Sequence, residues 1–362
     1  MRIAQVAPLI EAVPPRLYGG TERVVSFLTE ELVRLGHDVT LFASGDSVSA
    51  AQLVPVCPRA LRWDAGVRDP IAPHFVMLEQ VFRRIAEFDV LHFHLDYLPF
   101  SLFSRQPTPF LNTLHGRLDL PELWPMYRAT SHVPLVSVST AQRRPMPWVH
   151  WVATVHHGLP ERLLTPSAVT PTYLAFLGRI APEKRVDRAI EIAGRCDLPL
   201  KIAAKVDPVD QDYFEDAIRP LMALPHVEFL GEISDTAKAE FLSGALGLLF
   251  PGDWPEPFGL AMIEAMACGT PVIAFNHGSV PEVVEHGLTG FVVDNVTEAV
   301  NAVDGLAALS RPAVRRRFQE RFTAQRMVEG YLAVYDQLTR TDSPRLVGLV
   351  GDRESEGAAR ST

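Results

Sequence analysis

The chain has 362 residues, more than one ordinary α/β core holds, and 47% hydrophobic with 21% charged residues is the composition of a globular protein with material for two cores. A net charge of −9 speaks against broad nucleic-acid binding, which needs a basic surface, and no apolar run reaches the roughly eighteen residues of a membrane span. Cys57, Cys196 and Cys268 lie far apart with no CxxC pair, and the N-terminus lacks the pattern of a signal peptide. Neither a disulfide framework nor a zinc site is expected, and the expected compartment is the cytoplasm.

Strand-length apolar runs alternate with longer amphipathic stretches. The first run, 2–8, leads through a Pro- and Gly-rich loop into a helical pattern over 21–35, with Val24, Val25, Leu28, Leu32 and Leu35 on one stripe. Thr21 is placed as its N-cap and Gly36 as its stop. A strand at 38–43 completes a β-loop-α-β unit, the opening of a doubly wound parallel sheet. A helix near 74–87 and strands at 90–94, 110–114, 135–138 and 152–155 continue it. The pattern restarts after the Pro/Thr/Ser stretch 165–171, with strands at 173–177, 200–204, 227–230, 247–250, 272–274 and 290–293. Helices are predicted at 186–194, 213–224, 235–242, 259–267 and 297–308, then one long helix over 315–338. The expected division is a first α/β domain over 1–165, a second over 166–320, a C-terminal helix over 321–340, and a disordered tail over 341–362. Two α/β halves across one linker imply a cleft between them, a favoured ligand site.

The segment from Gly252 to Pro271 is the most informative. It follows an apolar run and opens a helix, whose exposed N–H groups and positive dipole end suit a phosphate or a sugar hydroxyl. Glu256 precedes that helix and Glu264 lies within it. A carboxylate accepts two hydrogen bonds from adjacent hydroxyls, so both suit vicinal diols. A solvated surface role is the alternative for each, but Glu264 sits among Ala, Met and Ile, where an unpartnered carboxylate is costly. With Pro-Phe-Gly after the first glutamate, this Glu-x7-Glu element resembles that of the retaining glycosyltransferase family 4, whose fold is GT-B: two Rossmann-like, doubly wound parallel-sheet domains with a cleft between them. The resemblance implies that Glu256 faces the donor sugar, that Glu264 holds the ribose, and that the backbone at Phe258, Gly259 and Leu260 contacts sugar and phosphate.

Three further motifs fit. Gly178-Arg179 with Glu183-Lys184 follows the first strand of the second half. Its planar guanidinium and mobile ammonium suit a diphosphate, and the resemblance gives Arg179 and Lys184 that role. Gly19-Gly20 in the first βα loop permits close backbone approach. It is no dinucleotide fingerprint, and the family has a similar loop beside the diphosphate and acceptor. His115 ends a predicted strand, where the family keeps a histidine against the donor sugar. Many members continue with Asp, but Gly116 stands here, so that carboxylate is absent.

Other residues compete. His92 and His94 would share a strand face, but no third metal ligand is evident. His156-His157 shapes the linker turn where relatives often carry Asn-Gly. Asp210-Gln211-Asp212 matches an Asp-x-Asp metal motif but heads a predicted helix, where acidic caps are common. The sequence therefore predicts a retaining transferase that moves a sugar from a nucleotide-diphosphate sugar, UDP above others, to a hydroxyl acceptor such as a glycoside, secondary metabolite or polysaccharide or lipid precursor. No metal or other cofactor is expected. The alternatives are a nucleotide-sugar epimerase of the same fold and an inactive partner protein. Tyr18, Tyr97, Trp124 and Tyr127 are offered as acceptor platforms. Arg83-Arg84 and Arg143-Arg144 leave room for weak membrane contact at most.

Overall fold

The apolar runs assemble into two parallel sheets in a computed structural model that describes residues 1–17 and 19–340. Tyr18 and the tail read as disordered lie outside the described residues. The first sheet contains β1 (Arg2–Val6), β2 (Asp38–Ala43), β3 (Gln52–Pro55), β4 (Val90–Phe93), β5 (Phe110–Leu114), β6 (Leu135–Ser137) and β7 (Trp151–Thr154), in the order β3-β2-β1-β4-β5-β6-β7. The second contains β8 (Tyr173–Ile180), β9 (Leu200–Val206), β10 (Val227–Gly231), β11 (Ala245–Phe250), β12 (Val272–Phe275) and β13 (Gly290–Val293), in the order β10-β9-β8-β11-β12-β13. The central strands β4, β5 and β12 are buried along their whole length, as helices on both faces require. In each sheet the strand order reverses at the first strand, beside β1 and beside β8, and a crevice opens there at the carboxyl ends.

Four elements depart from the sequence reading. Strand β3 is a short edge strand whose Gln52 and Pro55 are exposed, so it carries no apolar run to betray it. The first helix, Gly20–Arg34, has Gly19 as its N-cap rather than Thr21, and no side chain caps it; Gly36 ends it as expected, at φ +85°. The stretch 213–224 is no single helix. A π turn, Phe214–Ile218, interrupts it where Pro220 has no N–H to give to the preceding turn. The long helix over 315–338 is two helices, Arg311–Arg321 and Ala324–Arg340. At the break, Leu159 N–H donates to Phe322 O (2.9 Å) and Ala324 N–H donates to Leu159 O (2.7 Å). The chain therefore crosses between the sheets twice at one place, and the two crossings are hydrogen-bonded to each other. The last helix returns to the first domain, where Tyr331 and Tyr335 are fully buried against the sheet.

Among the described residues no helix is long and apolar enough to cross a membrane. The two arginine pairs are largely neutralised or occupied locally: Arg83 binds Glu79, Arg84 binds Glu87, and Arg143 lies over Trp151 and donates to Ser137.

Candidate active site

Carboxyl ends of strands from both sheets, with the loops that follow them, enclose a cavity of about 390 Å³. All ten residues singled out from the sequence line it: Gly19, Gly20 and His115 from the first domain, and Arg179, Lys184, Glu256, Phe258, Gly259, Leu260 and Glu264 from the second. The two sides come close, because a Cβ built on Gly20 would lie 3.8 Å from Leu260 Cδ1. Five cations (Arg23, Arg179, Lys184, Lys205 and Lys238) and four carboxylates line the cavity. An anionic ligand thus meets a site without net negative charge, although the whole chain is strongly acidic.

The loop before the helix Leu260–Ala267 is built around Gly259, its N-cap, in the left-handed region at φ +84°. That φ favours glycine in this turn, and a Cβ there would also fall 2.5 Å from Met262 Cε and 3.1 Å from Phe250 Cζ. A second glycine supports it from a loop the sequence reading passed over. At Gly278, φ +57°, a Cβ would lie 2.3 Å from Glu256 O, and the next residue, Ser279, binds Glu256 O through its N–H (2.9 Å) and Phe258 O through its hydroxyl (2.8 Å). Glu256 is nearly buried. Its Oε2 accepts from Lys184 Nζ (2.5 Å) and from Trp254 Nε1 (3.0 Å), while Lys184 Nζ sits 4.5 Å from the Trp254 ring. Glu264, only 5% exposed, holds Lys238 Nζ at 2.7 Å, and that ammonium also lies 3.2 Å from Asp235.

The cations expected to meet a diphosphate are thus engaged with carboxylates. Arg179 bonds Glu183 (2.6 Å) and Asp210 (3.0 Å). Asp210 of the Asp-x-Asp sequence is therefore an ion-pair partner of Arg179, and Asp212 is exposed. Charge-assisted hydrogen bonds to carboxylates thus hold both cations in place at the cavity wall.

His115 projects from the end of β5. Its Nε2 lies 2.9 Å from His94 Nδ1, and its ring stacks on His157 with centroids 5.2 Å apart. Burial holds its pKa down to about 3, so it is a neutral imidazole near pH 7, fitted for hydrogen bonding rather than for proton donation as an acid. His92 and His94 do share a strand face, with centroids 4.1 Å apart, and His115 joins them. The ring nitrogens of His92 and His94 are engaged with Gln5, Thr113, Tyr335 and His115, and no metal-holding group of His, Cys, Asp or Glu is present among the described residues. The acceptor aromatics separate: Tyr127 is buried in the core against Tyr97 and Phe100 and presents no face to a ligand, while Tyr97 and Trp124 are half-buried.

Sequence reasoning missed Lys205, Lys238, Trp254, Arg23 and His157 in this cleft. Lys205 ends a parallel strand beside β8, so the rule that found His115 reaches it too; Lys238, in the helix Asp235–Ser243, carries no comparable signal. Ion pairs and hydrogen bonds also span the cleft: Arg23 to Asp235, Arg62 to Asp207 (3.1 Å), and Glu282 to the amides of Thr140 (2.8 Å) and Ala141 (2.6 Å).

Fold and cleft together are those of a GT-B glycosyltransferase. The chain belongs to glycosyltransferase family 4: the profile of that family matches residues 18–187, and that of the glycosyl transferases group 1 matches residues 165–325. Glycogen synthase of Mycobacterium tuberculosis (strain CDC 1551 / Oshkosh) is 26% identical over 86% of each chain. AviGT4, a glycosyltransferase involved in avilamycin A biosynthesis, superposes with a TM-score of 0.70 at 22% identity, covering 94% of this chain and 98% of its own. Anabaena Alr3699/HepE, solved with UDP-glucose, superposes with a TM-score of 0.73 at 16% identity, covering 93% of this chain and all of its own.

Proposed function

We propose that this glycosyltransferase moves a sugar from a nucleotide-diphosphate sugar to an acceptor hydroxyl, with retention of anomeric configuration and without a metal ion. The observation that carries this reading is the convergence of Arg179, Lys184, Glu256, Glu264 and the loop at 258–260 in one cavity that His115 and the Gly19-Gly20 loop face from the other domain. Glu264 accepts the ribose hydroxyls. Arg179 and Lys184 take up charge on the departing diphosphate, the part a metal plays elsewhere. Glu256 and the amides at 258–260 orient the sugar. Beside the anomeric carbon the cavity offers Glu256 tied to Lys184 and Trp254, an arrangement suited to holding hydroxyls rather than to forming a covalent intermediate. In the proposed step the acceptor oxygen bonds to the anomeric carbon on the face from which the phosphate oxygen leaves, and the acceptor proton passes to that phosphate oxygen. Closure of the domains excludes water and limits hydrolysis. Uridine is the base we assign, supported by the UDP-glucose held in HepE. The acceptor, a glycoside, secondary metabolite or polysaccharide or lipid precursor, enters past Tyr97 and Trp124.

Titration calorimetry with UDP, GDP, ADP and dTDP in EDTA tests the donor site. Binding of UDP in preference to the others, followed by transfer from UDP-sugars whose product keeps the donor's anomeric configuration by NMR, is the expected result. Binding that requires Mn²⁺ or Mg²⁺, or no nucleotide binding at all, refutes the reading.

A further inference from the structure

Behind His115 lies a chain of hydrogen bonds that reaches the last helix. Gln5, His92, His94, Thr113, Tyr331 and Tyr335 are all buried there. Gln5 Nε2 lies 3.0 Å from Tyr335 Oη, which lies 2.7 Å from His92 Nδ1; His92 Nε2 lies 2.7 Å from Thr113 Oγ1, which is 3.0 Å from Tyr331 Oη. In the other direction Gln5 Oε1 is 2.9 Å from His94 Nε2, and His94 Nδ1 is 2.9 Å from His115 Nε2.

A neutral imidazole has one donor and one acceptor nitrogen, so along Gln5–His94–His115 the direction of one bond fixes the others, while the Tyr335, Thr113 and Tyr331 hydroxyls take either role. The Gln5 amide donates to Tyr335, whose hydroxyl donates to His92 Nδ1. Gln5 Oε1 therefore accepts from His94 Nε2–H, His94 Nδ1 accepts from His115 Nε2–H, and His115 Nδ1 is left as a lone pair. That Nδ1 is buried and has no partner in the protein. Turning the amide over reverses the donors between Gln5, His94 and His115 and leaves an N–H on His115 Nδ1 with no acceptor, the costlier of the two orphans.

We infer that Gln5, with its amide oriented by Tyr335 of the C-terminal helix, is a positioning residue: through His94 it fixes His115 as the Nε2–H tautomer, so that Nδ1 is offered as an acceptor to a hydroxyl of the bound sugar. The inference rests on the proposed placement of the donor sugar against His115. It adds a reason for the last helix to cross back to the first domain, since its tyrosine sets the hydrogen-bonding character of a cleft residue on another element.

Long-range ¹H–¹⁵N correlation spectra of histidine-labelled full-length protein read the tautomer directly, without substrate. The expected wild-type spectrum has His115 protonated on Nε2 and not on Nδ1. Gln5→Met keeps the shape of the side chain and removes the amide, and Tyr335→Phe removes only the hydroxyl. Each is expected to give a mixture of His115 tautomers and to lower kcat about tenfold, with the affinity for UDP within twofold of wild type. His115 protonated on Nδ1 in the wild type, or a tautomer unchanged in both folded variants, overturns the inference. Failure of the underlying reading shows separately, as a wild-type protein that has the expected tautomer but binds no nucleotide and transfers no sugar.

Discussion

Glu264 is where the donor reading meets a measurable energy. Its carboxylate is 5% exposed and bound to Lys238, which keeps Asp235 as a second partner if Glu264 is neutralised. Breaking a fully buried pair by removing one partner costs about 3–5 kcal/mol, and the remaining Asp235 together with the open cleft reduces the expected loss of stability for Glu264→Gln to about 2 kcal/mol. The effect on binding is distinct. A carboxylate that accepts from two ribose hydroxyls makes charge-assisted bonds worth about 1.5–3 kcal/mol each, and Gln retains a neutral acceptor, so UDP binding should weaken roughly 10- to 100-fold. The discriminating assay is calorimetry with UDP and 2′-deoxy-UDP on both proteins. Wild type should prefer UDP by about tenfold, and Glu264→Gln should lose most of that preference, because the hydroxyl removed from the ligand and the charge removed from the protein belong to the same bond. If the preference for UDP survives the substitution intact, Glu264 serves only to neutralise Lys238, and the assigned ribose contact is wrong.

Lys184→Ala removes a cation from the proposed leaving group and leaves Glu256 its bond from Trp254; sugar transfer should fall about 10²- to 10³-fold in kcat, with a cooperative melt above the assay temperature as the control for folding, since the buried carboxylate loses its counter-charge. Gly278→Ala forces a Cβ toward Glu256 O, so transfer should be lost while UDP binding through Glu264 persists, and full activity in this variant would show that the Glu256 loop tolerates displacement. Glu282 crosses the cleft: burial pushes its pKa up, but hydrogen bonds from His156 and from the Thr140 and Ala141 amides outweigh that and bring it down to about 2. A carboxylate depressed in the folded state contributes stability that is complete above its unfolded value near 4.5 and is lost as pH falls through about 2. Glu282→Gln should therefore cost about 2–3 kcal/mol in urea melts at pH 7, with the gap between the two proteins narrowing only below about pH 4.5; a gap that changes little down to pH 3 would assign the loss to packing.

What the sequence made legible follows from what local pattern encodes. The strands at 90–94, 110–114 and 272–274 were readable because a parallel sheet buried on both faces needs unbroken apolar runs, and the loop before the helix Leu260–Ala267 was readable because Glu256, Gly259 and Glu264 lie on one strand-loop-helix unit. The rest depends on residues that chain distance separates. Nothing near Lys238 points to Glu264, and nothing near Gln5 points to His115; the packing of two helices of the second domain brings the first pair together, and the pairing of β1, β4 and β5 in the first sheet brings the second. The split at Phe322 and Thr323 escaped for the same reason, since the apolar stripe runs on through it while the backbone exchanges helical hydrogen bonds for bonds to Leu159. Tyr127 shows the reverse error: an aromatic in a loop reads as a ligand platform until the packing of Tyr97 and Phe100 claims it for the core. Pattern thus identified groups that line the cavity when they share a local element with the backbone that shapes it. Groups that act by setting the charge or tautomer of another residue became visible only in three dimensions, and those are the positions where substitution should change rate more than fold.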